Sequence, residues 1–285
     1  MKSIDYYQNG REQTYLKHFF LERYLERVGF NICSFKDDFV YVDGFSGPWK
    51  LFIDPTGWTG FGLQQITPIL QHRPGEVIVN FMFDFINRRF SVSFDDLFGG
   101  PGWNSSMSEN ETIQLYCERM KVAGQFNHVT STRILKPTVD RTYFYLIYGT
   151  RHWKGLLEFR DVEKRFVREQ ERVRLTAKQR RRVEKTGQSE LFSEPSISTS
   201  SRSLYEERQN NIQNAIDRLK ELIRTNQRIK YEDILGSLLE LPLVWQSDVN
   251  ELIMSLRGTE LDIEGLKPRE RTPKRRHVIV RKQGV

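Results

Sequence analysis

The chain has 285 residues, a formal net charge of +7, 38% hydrophobic and 12% aromatic side chains, which is enough apolar material for a real core and a length for about two domains. No stretch of about 18 apolar residues occurs, and Met1-Lys2-Ser3-Ile4-Asp5 is not followed by an apolar signal core, so a cytoplasmic chain with no membrane partner is expected. Cys33 and Cys117 are too few for a disulfide framework, and the scattered histidines His18, His72, His128, His152 and His277 show no ligand spacing, so no metal site is expected.

In chain order, Thr14 to Val28 places Leu16, Phe19, Phe20, Tyr24 and Val28 at helical spacing, ended by Gly29. Phe39 to Val42 and Leu51 to Ile53 read as two buried strands, each closing on an aspartate turn: Asp43-Gly44-Phe45-Ser46-Gly47-Pro48 and Asp54-Pro55-Thr56-Gly57-Trp58. Only Ser46 to Lys50 lie between Phe45 and Leu51, whereas parallel neighbours need a crossover of a dozen or more residues. Either the two runs form a hairpin, or a piece of an α/β domain is absent. Gly62 to His72 then reads as a short helix, Glu76 to Met82 as a buried strand, and Thr112 to Val122 as a helix. Arg141 to Tyr148 is the strongest strand signal and stops at Gly149-Thr150-Arg151-His152.

The composition changes near Asp161. From there to Lys185 the chain is an arginine-rich helix, and Ser189 to Ser203 reads as a mobile serine-rich linker. Ile212, Ile216, Leu219 and Ile223 share a helical stripe, and Tyr231 to Leu241 gives a second helix interrupted by Gly236. A third helix begins with Ser247 as its cap and ends at Gly258, and two short strands, Leu261 to Ile263 and His277 to Val280, flank a basic loop. Three helices closed by such a hairpin describe a winged helix, a variant of the helix-turn-helix theme. The divisions expected are 1–160, 161–203 and 204–285.

Charge is concentrated in two places. Residues Arg160 to Lys185 carry a balance of +6 and Lys267 to Lys282 one of +7, so the rest of the chain is net acidic. Such segments are the usual footprint of a polyanion, although a solvated helix face and a solubilising tail explain them equally well. Within the second segment Arg269, Arg271, Lys274, Arg275 and Arg276 are the candidate nucleic-acid contacts, suited to tracking a phosphate backbone with little sequence preference. Asp248, Asn250, Glu251 and Ser255 make the third helix too acidic to read bases in a major groove. Asn87-Arg88-Arg89 and Arg151-His152 are further phosphate candidates, or plain surface turns. In the first aspartate turn Gly44 and Gly47 permit close backbone approach to a ligand and Asp43 can accept from an amino group, but a glycine turn after a strand is more often purely structural.

Thr14-Tyr15-Leu16-Lys17-His18, Tyr41-Val42-Asp43-Gly44-Phe45-Ser46-Gly47-Pro48, Asp54-Pro55-Thr56-Gly57, Asn80-Phe81-Met82 with Ile86-Asn87-Arg88, and Tyr148-Gly149-Thr150-Arg151-His152-Trp153-Lys154-Gly155 follow one another in an order that resembles the three-Cys-motif partner (TcmP) family. The resemblance covers most of the chain and extends to a terminal winged helix. It implies an α/β fold with a Rossmann-like methyltransferase-type sheet, S-adenosylmethionine as cofactor, and a companion protein that carries the three cysteines. It further implies that Asp43, Gly44, Phe45 and Gly47 bind the methionine end of the cofactor. Asp54, Pro55 and Trp58 would be the catalytic turn, with carboxylate and carbonyl holding an amine and the ring stacking on a base flipped from its stack. The sequence departs from that pattern in two ways. Thr56-Gly57 stands in place of a second proline and moves Trp58 one position on. Furthermore, the first turn lies beside what resembles the fourth, so the second and third strands and the ribose-binding carboxylate are missing, as from a deletion near Lys50. Two readings stay open: a methyltransferase-like TcmP protein, active or silenced by that loss, and a noncatalytic winged-helix protein that binds nucleic acid or a protein partner.

Overall fold

The computed structural model describes residues 12–32, 77–81, 102, 104, 106–187 and 201–282. In that part of the chain the fold is mixed α/β, with two three-stranded antiparallel sheets. The strands expected at Phe39 to Val42 and Leu51 to Ile53, the helix at Gly62 to His72 and most of the expected linker lie outside the described residues.

Helix α1 (Glu12–Ile32) turns Leu16, Phe20 and Tyr24 inward at steps of four. Strand β1 (Val77–Phe81), helix α2 (Glu109–Ala123) and strands β2 (His128–Leu135) and β3 (Thr142–Thr150) follow. β3 lies between the other two and runs antiparallel to both, so β1 and β2 point the same way and the chain between them carries α2. Ser108 starts α2 with a capping box: its hydroxyl accepts from the Glu111 backbone, and its own N–H donates to the Glu111 carboxylate at 2.7 Å.

Helix α3 (Trp153–Thr186) crosses residue 161 without a break, so the change in composition there is not a change of element. Its first half packs on the sheet and on α1 through aromatic rings. Phe159 stacks on Tyr148 of β3 with centroids 4.7 Å apart, and Phe166 meets Phe20 of α1 edge-on at 5.3 Å. Polar side chains of the same helix repair the sheet: the register slips between Ile134 and Leu135, and the Leu135 N–H donates to Gln170 Oε1 at 2.8 Å. Arg174 is buried and straps the β2–β3 turn, donating to the carbonyls of Lys136 at 2.5 Å and Val139 at 3.1 Å.

The C-terminal elements are α4 (Arg202–Thr225), β4 (Arg228–Lys230), α5 (Tyr231–Leu238), α6 (Gln246–Leu256), β5 (Leu261–Glu264) and β6 (Val278–Arg281), with sheet order β4-β6-β5. Three local expectations change. Ser201, expected in a linker, is buried at the start of α4, where Glu171 accepts from its N–H at 3.0 Å. Gly236 does not interrupt α5; a Cβ there would come within 3.0 Å of the His128 ring, so glycine lets the helix close on β2. Ser247 is not the cap of α6. The helix begins one residue earlier, and the Trp245 N–H donates to the Asp248 carboxylate at 2.8 Å.

One core runs through both halves, from Leu16 and Phe20 through Phe159 to Leu219, Ile234, Val249 and Ile279. Arg160 fastens them together. Fully buried on α3, it spends all five N–H donors: Nε on Leu239 O (2.9 Å), Nη1 on Glu163 Oε1 (2.6 Å) and Ser131 O (3.3 Å), Nη2 on Thr130 Oγ1 and Glu240 O (3.3 Å). Removing one member of such a buried pair strands the other, at a cost of about 3–5 kcal/mol. Arg160→Ala is therefore expected to lower unfolding stability by about that amount in urea titrations, and Arg160→Lys, with three donors and no fork, by a large part of it. A loss below about 1 kcal/mol for the alanine variant, the level of a surface pair, would contradict this account.

Candidate nucleic-acid interface

The seven residues of the expected cofactor and catalytic turns, Asp43, Gly44, Phe45, Gly47, Asp54, Pro55 and Trp58, lie outside the described residues, as do Asn87, Arg88 and Arg89. The five basic candidates are described, and all are exposed on the loop between β5 and β6.

That loop is built around an acid. Glu270 Oε2 accepts from the Lys267 backbone N–H at 3.1 Å, while Oε1 meets Lys274 Nζ at 3.1 Å and the Arg276 guanidinium. These donors, the backbone N–H first, hold the Glu270 carboxyl well below the usual range, at about 2. Behind it His277 is buried and its Nδ1 accepts from the Lys274 N–H at 2.8 Å, so the ring proton sits on Nε2, which faces Glu270 Oε2 at 3.3 Å. The His277 carbonyl in turn accepts from the Tyr231 N–H at 3.1 Å and ties the loop to the start of α5.

The five candidates consequently fall into two groups. Lys274 and Arg276 share the single Glu270 carboxylate, whereas among the described residues Arg269 and Arg271 have no carboxylate or hydrogen-bond partner, and Arg275 makes a cation–π contact, 4.7 Å above the Trp153 ring, with no carboxylate partner. The other basic segment is different. Arg160 is paired with Glu163, Arg172 with Glu169, Arg174 with Asp140 and Arg180 with Glu12, so much of the charge on α3 holds the fold together. Arg151 also serves the fold, lying 5.0 Å over the Phe126 ring and donating to Gly124 O at 2.7 Å. His152 caps α3 through Nδ1, and burial, with the Lys154 ammonium next, holds its pKa below the ordinary value.

The acidic face expected on α6 is corrected in part. Asp248 caps that helix and pairs with Arg208 at 2.9 Å, and Asn250 Oδ1 accepts from the Tyr231 hydroxyl at 2.5 Å; Glu251 and Ser255 remain exposed. Asn250 and Gln246 instead line a cleft of about 340 Å³ beside the loop, together with Trp153, Leu157, Tyr231, Leu235 and residues 272–275. No sequence motif marked it, because it draws on four separate segments.

Among the described residues no cluster of three or more His, Cys, Asp or Glu is placed to hold a metal, and no helix is long and apolar enough to cross a membrane. No family model, no curated protein and no solved structure matches the chain.

Because the Glu270 pKa is depressed on folding, its contribution to the loop is complete above its ordinary value of 4.5, declines below it and is gone once the pH falls through about 2. A carbon-13 titration of the Glu270 carboxyl is expected to show a midpoint near 2, and Glu270→Gln to speed amide exchange at Lys267 at neutral pH. A midpoint near 4.5 with unchanged exchange would show that the loop does not depend on this carboxylate.

Proposed function

We propose that this protein is a TcmP-type, methyltransferase-like chain whose C-terminal winged helix holds the phosphate backbone of a nucleic acid. The observation that carries the nucleic-acid reading is a fixed loop presenting Arg269, Arg271 and Arg275 without carboxylate partners among the described residues. Unpaired guanidiniums on a restrained loop bind phosphate at little ordering cost, and they give affinity with little sequence preference. The order α4-β4-α5-α6-β5-β6, with β6 central in its sheet, supports the winged-helix assignment, the charged loop being the wing. The exposed part of α6 carries Glu251 rather than base-reading cations, so affinity rests with the wing.

For the first half, the support is the ordered series of family motifs, together with a small sheet in which β1 and β2 run the same way on either side of a reversed β3. S-adenosylmethionine is the cofactor class that the Asp43 to Gly47 turn implies, and Asp54, Pro55 and Trp58 remain the catalytic assignment. The strand that should supply the ribose carboxylate is missing from the sequence between Pro48 and Leu51, so the cofactor site is incomplete and the binding function is the one retained. A three-Cys-motif companion protein and a cytoplasmic location belong to the same family reading.

Replacing Arg269, Arg271 and Arg275 together by alanine is expected to flatten the slope of log K against log salt for duplex DNA by about 3, at about 0.9 per lost phosphate contact. An unchanged slope, or no binding by the parent chain at low salt, overturns the nucleic-acid reading. Calorimetric titration of S-adenosylmethionine is expected to give no saturable heat; saturable binding abolished by Asp43→Ala would instead restore the enzyme.

A further inference from the structure

We propose that the cleft at the foot of the wing receives one unpaired nucleobase while the wing holds the adjoining phosphates, an inference that rests on the nucleic-acid reading above. The cleft, about 340 Å³, is at the small end of the range of about 300–1,000 Å³ for built ligand sites. Its apolar surface comes from Leu157, Leu235, Pro273 and the Trp153 ring, beside a comparable polar share. The Arg275 guanidinium lies over that ring and offers a second flat surface, of the kind on which unstacked bases rest.

Three of the polar groups are oriented by one another. The Tyr231 hydroxyl donates to Asn250 Oδ1 at 2.5 Å, and Gln246 Nε2 donates to the Tyr231 oxygen at 3.4 Å. Those two bonds fix both amides and leave Asn250 Nδ2 as a donor and Gln246 Oε1 as an acceptor, neither with a partner among the described residues. A donor next to an acceptor matches the Watson–Crick edge of a base, which a duplex keeps occupied and an unpaired nucleotide exposes. Arg275, which lines the cleft and has no carboxylate partner among the described residues, is the cation for the nucleotide's phosphate. Tyr231 is a positioning residue, since it holds the amides rather than the base.

The test compares a blunt duplex with the same duplex carrying a short overhang whose unpaired base is 2-aminopurine, in DNA and RNA forms. The parent chain is expected to bind the overhang about tenfold tighter, the scale of one stacked base, and to quench its fluorescence. Asn250→Asp keeps the bond from Tyr231 but turns the free donor into an acceptor, and it is expected to remove the preference, read as the ratio of overhang to blunt-duplex affinity within the same variant. The overhang that shows the preference identifies DNA or RNA as the source. Equal affinity of the parent chain for overhang and blunt end, or a preference untouched by Asn250→Asp, overturns the cleft assignment and leaves wing binding standing. Calorimetry with adenosine monophosphate separates the opposite case. Binding lost in Asn250→Asp supports the cleft even where no duplex binds, in which event the wing reading alone fails.

Discussion

The fold depends on one buried guanidinium. Arg160 sits at the point where the first sheet, the long helix and the turn after α5 converge, and it satisfies the carbonyls of Ser131, Leu239 and Glu240 as well as Glu163. Burial opposes its charge, pulling its pKa below the ordinary arginine value, while Glu163 works the other way. Hydrophobic contact alone would let α5 and its turn slide over the sheet. A five-donor fork admits one arrangement, and Trp245 Nε1 closes the joint on the second Glu163 oxygen at 3.3 Å. The wing is thereby set in a fixed place relative to α3, whose Trp153 lies under Arg275.

The same residue types have opposite fates in the two basic segments. On α3 the arginines alternate with glutamates at helical spacing and meet partners on α1 and the β2–β3 turn, as Arg172 does with Glu169 and Arg180 with Glu12. In the wing a single carboxylate, Glu270, faces many cations and can satisfy only those nearest to it. It pairs with Lys274 and Arg276 and, through the Lys267 N–H, fixes the loop from which Arg269, Arg271 and Arg275 project.

Much of the architecture was legible in the sequence. The stripes of α1, α4 and α6 and the aromatic run of β3 gave their elements, because each buries one continuous apolar face. β2 went unrecognised because HVTSTRIL hides Thr130, Ser131 and Thr132, polar residues that face buried polar partners or close packing, so no apolar alternation marks it. β4 has three residues, two of them exposed, and is held only by pairing with β6. The wing arginines were readable from charge, but their division was not, since it depends on which of them Glu270 reaches. The cleft was invisible for a similar reason: Trp153, Tyr231, Gln246 and Asn250 lie on three helices that meet only in the folded chain.

The central claim is that the pinned wing is the surface that meets nucleic acid. Its most direct test is to record arginine side-chain Nε–H and backbone amide resonances of the full chain while adding a duplex oligonucleotide at low salt. The account predicts that Arg269, Arg271 and Arg275 shift most, that Arg160 and Arg174 stay in place, and that the shifts reverse on adding salt. Shifts spread along α3 with the wing arginines unmoved, or no shifts at all, would contradict it.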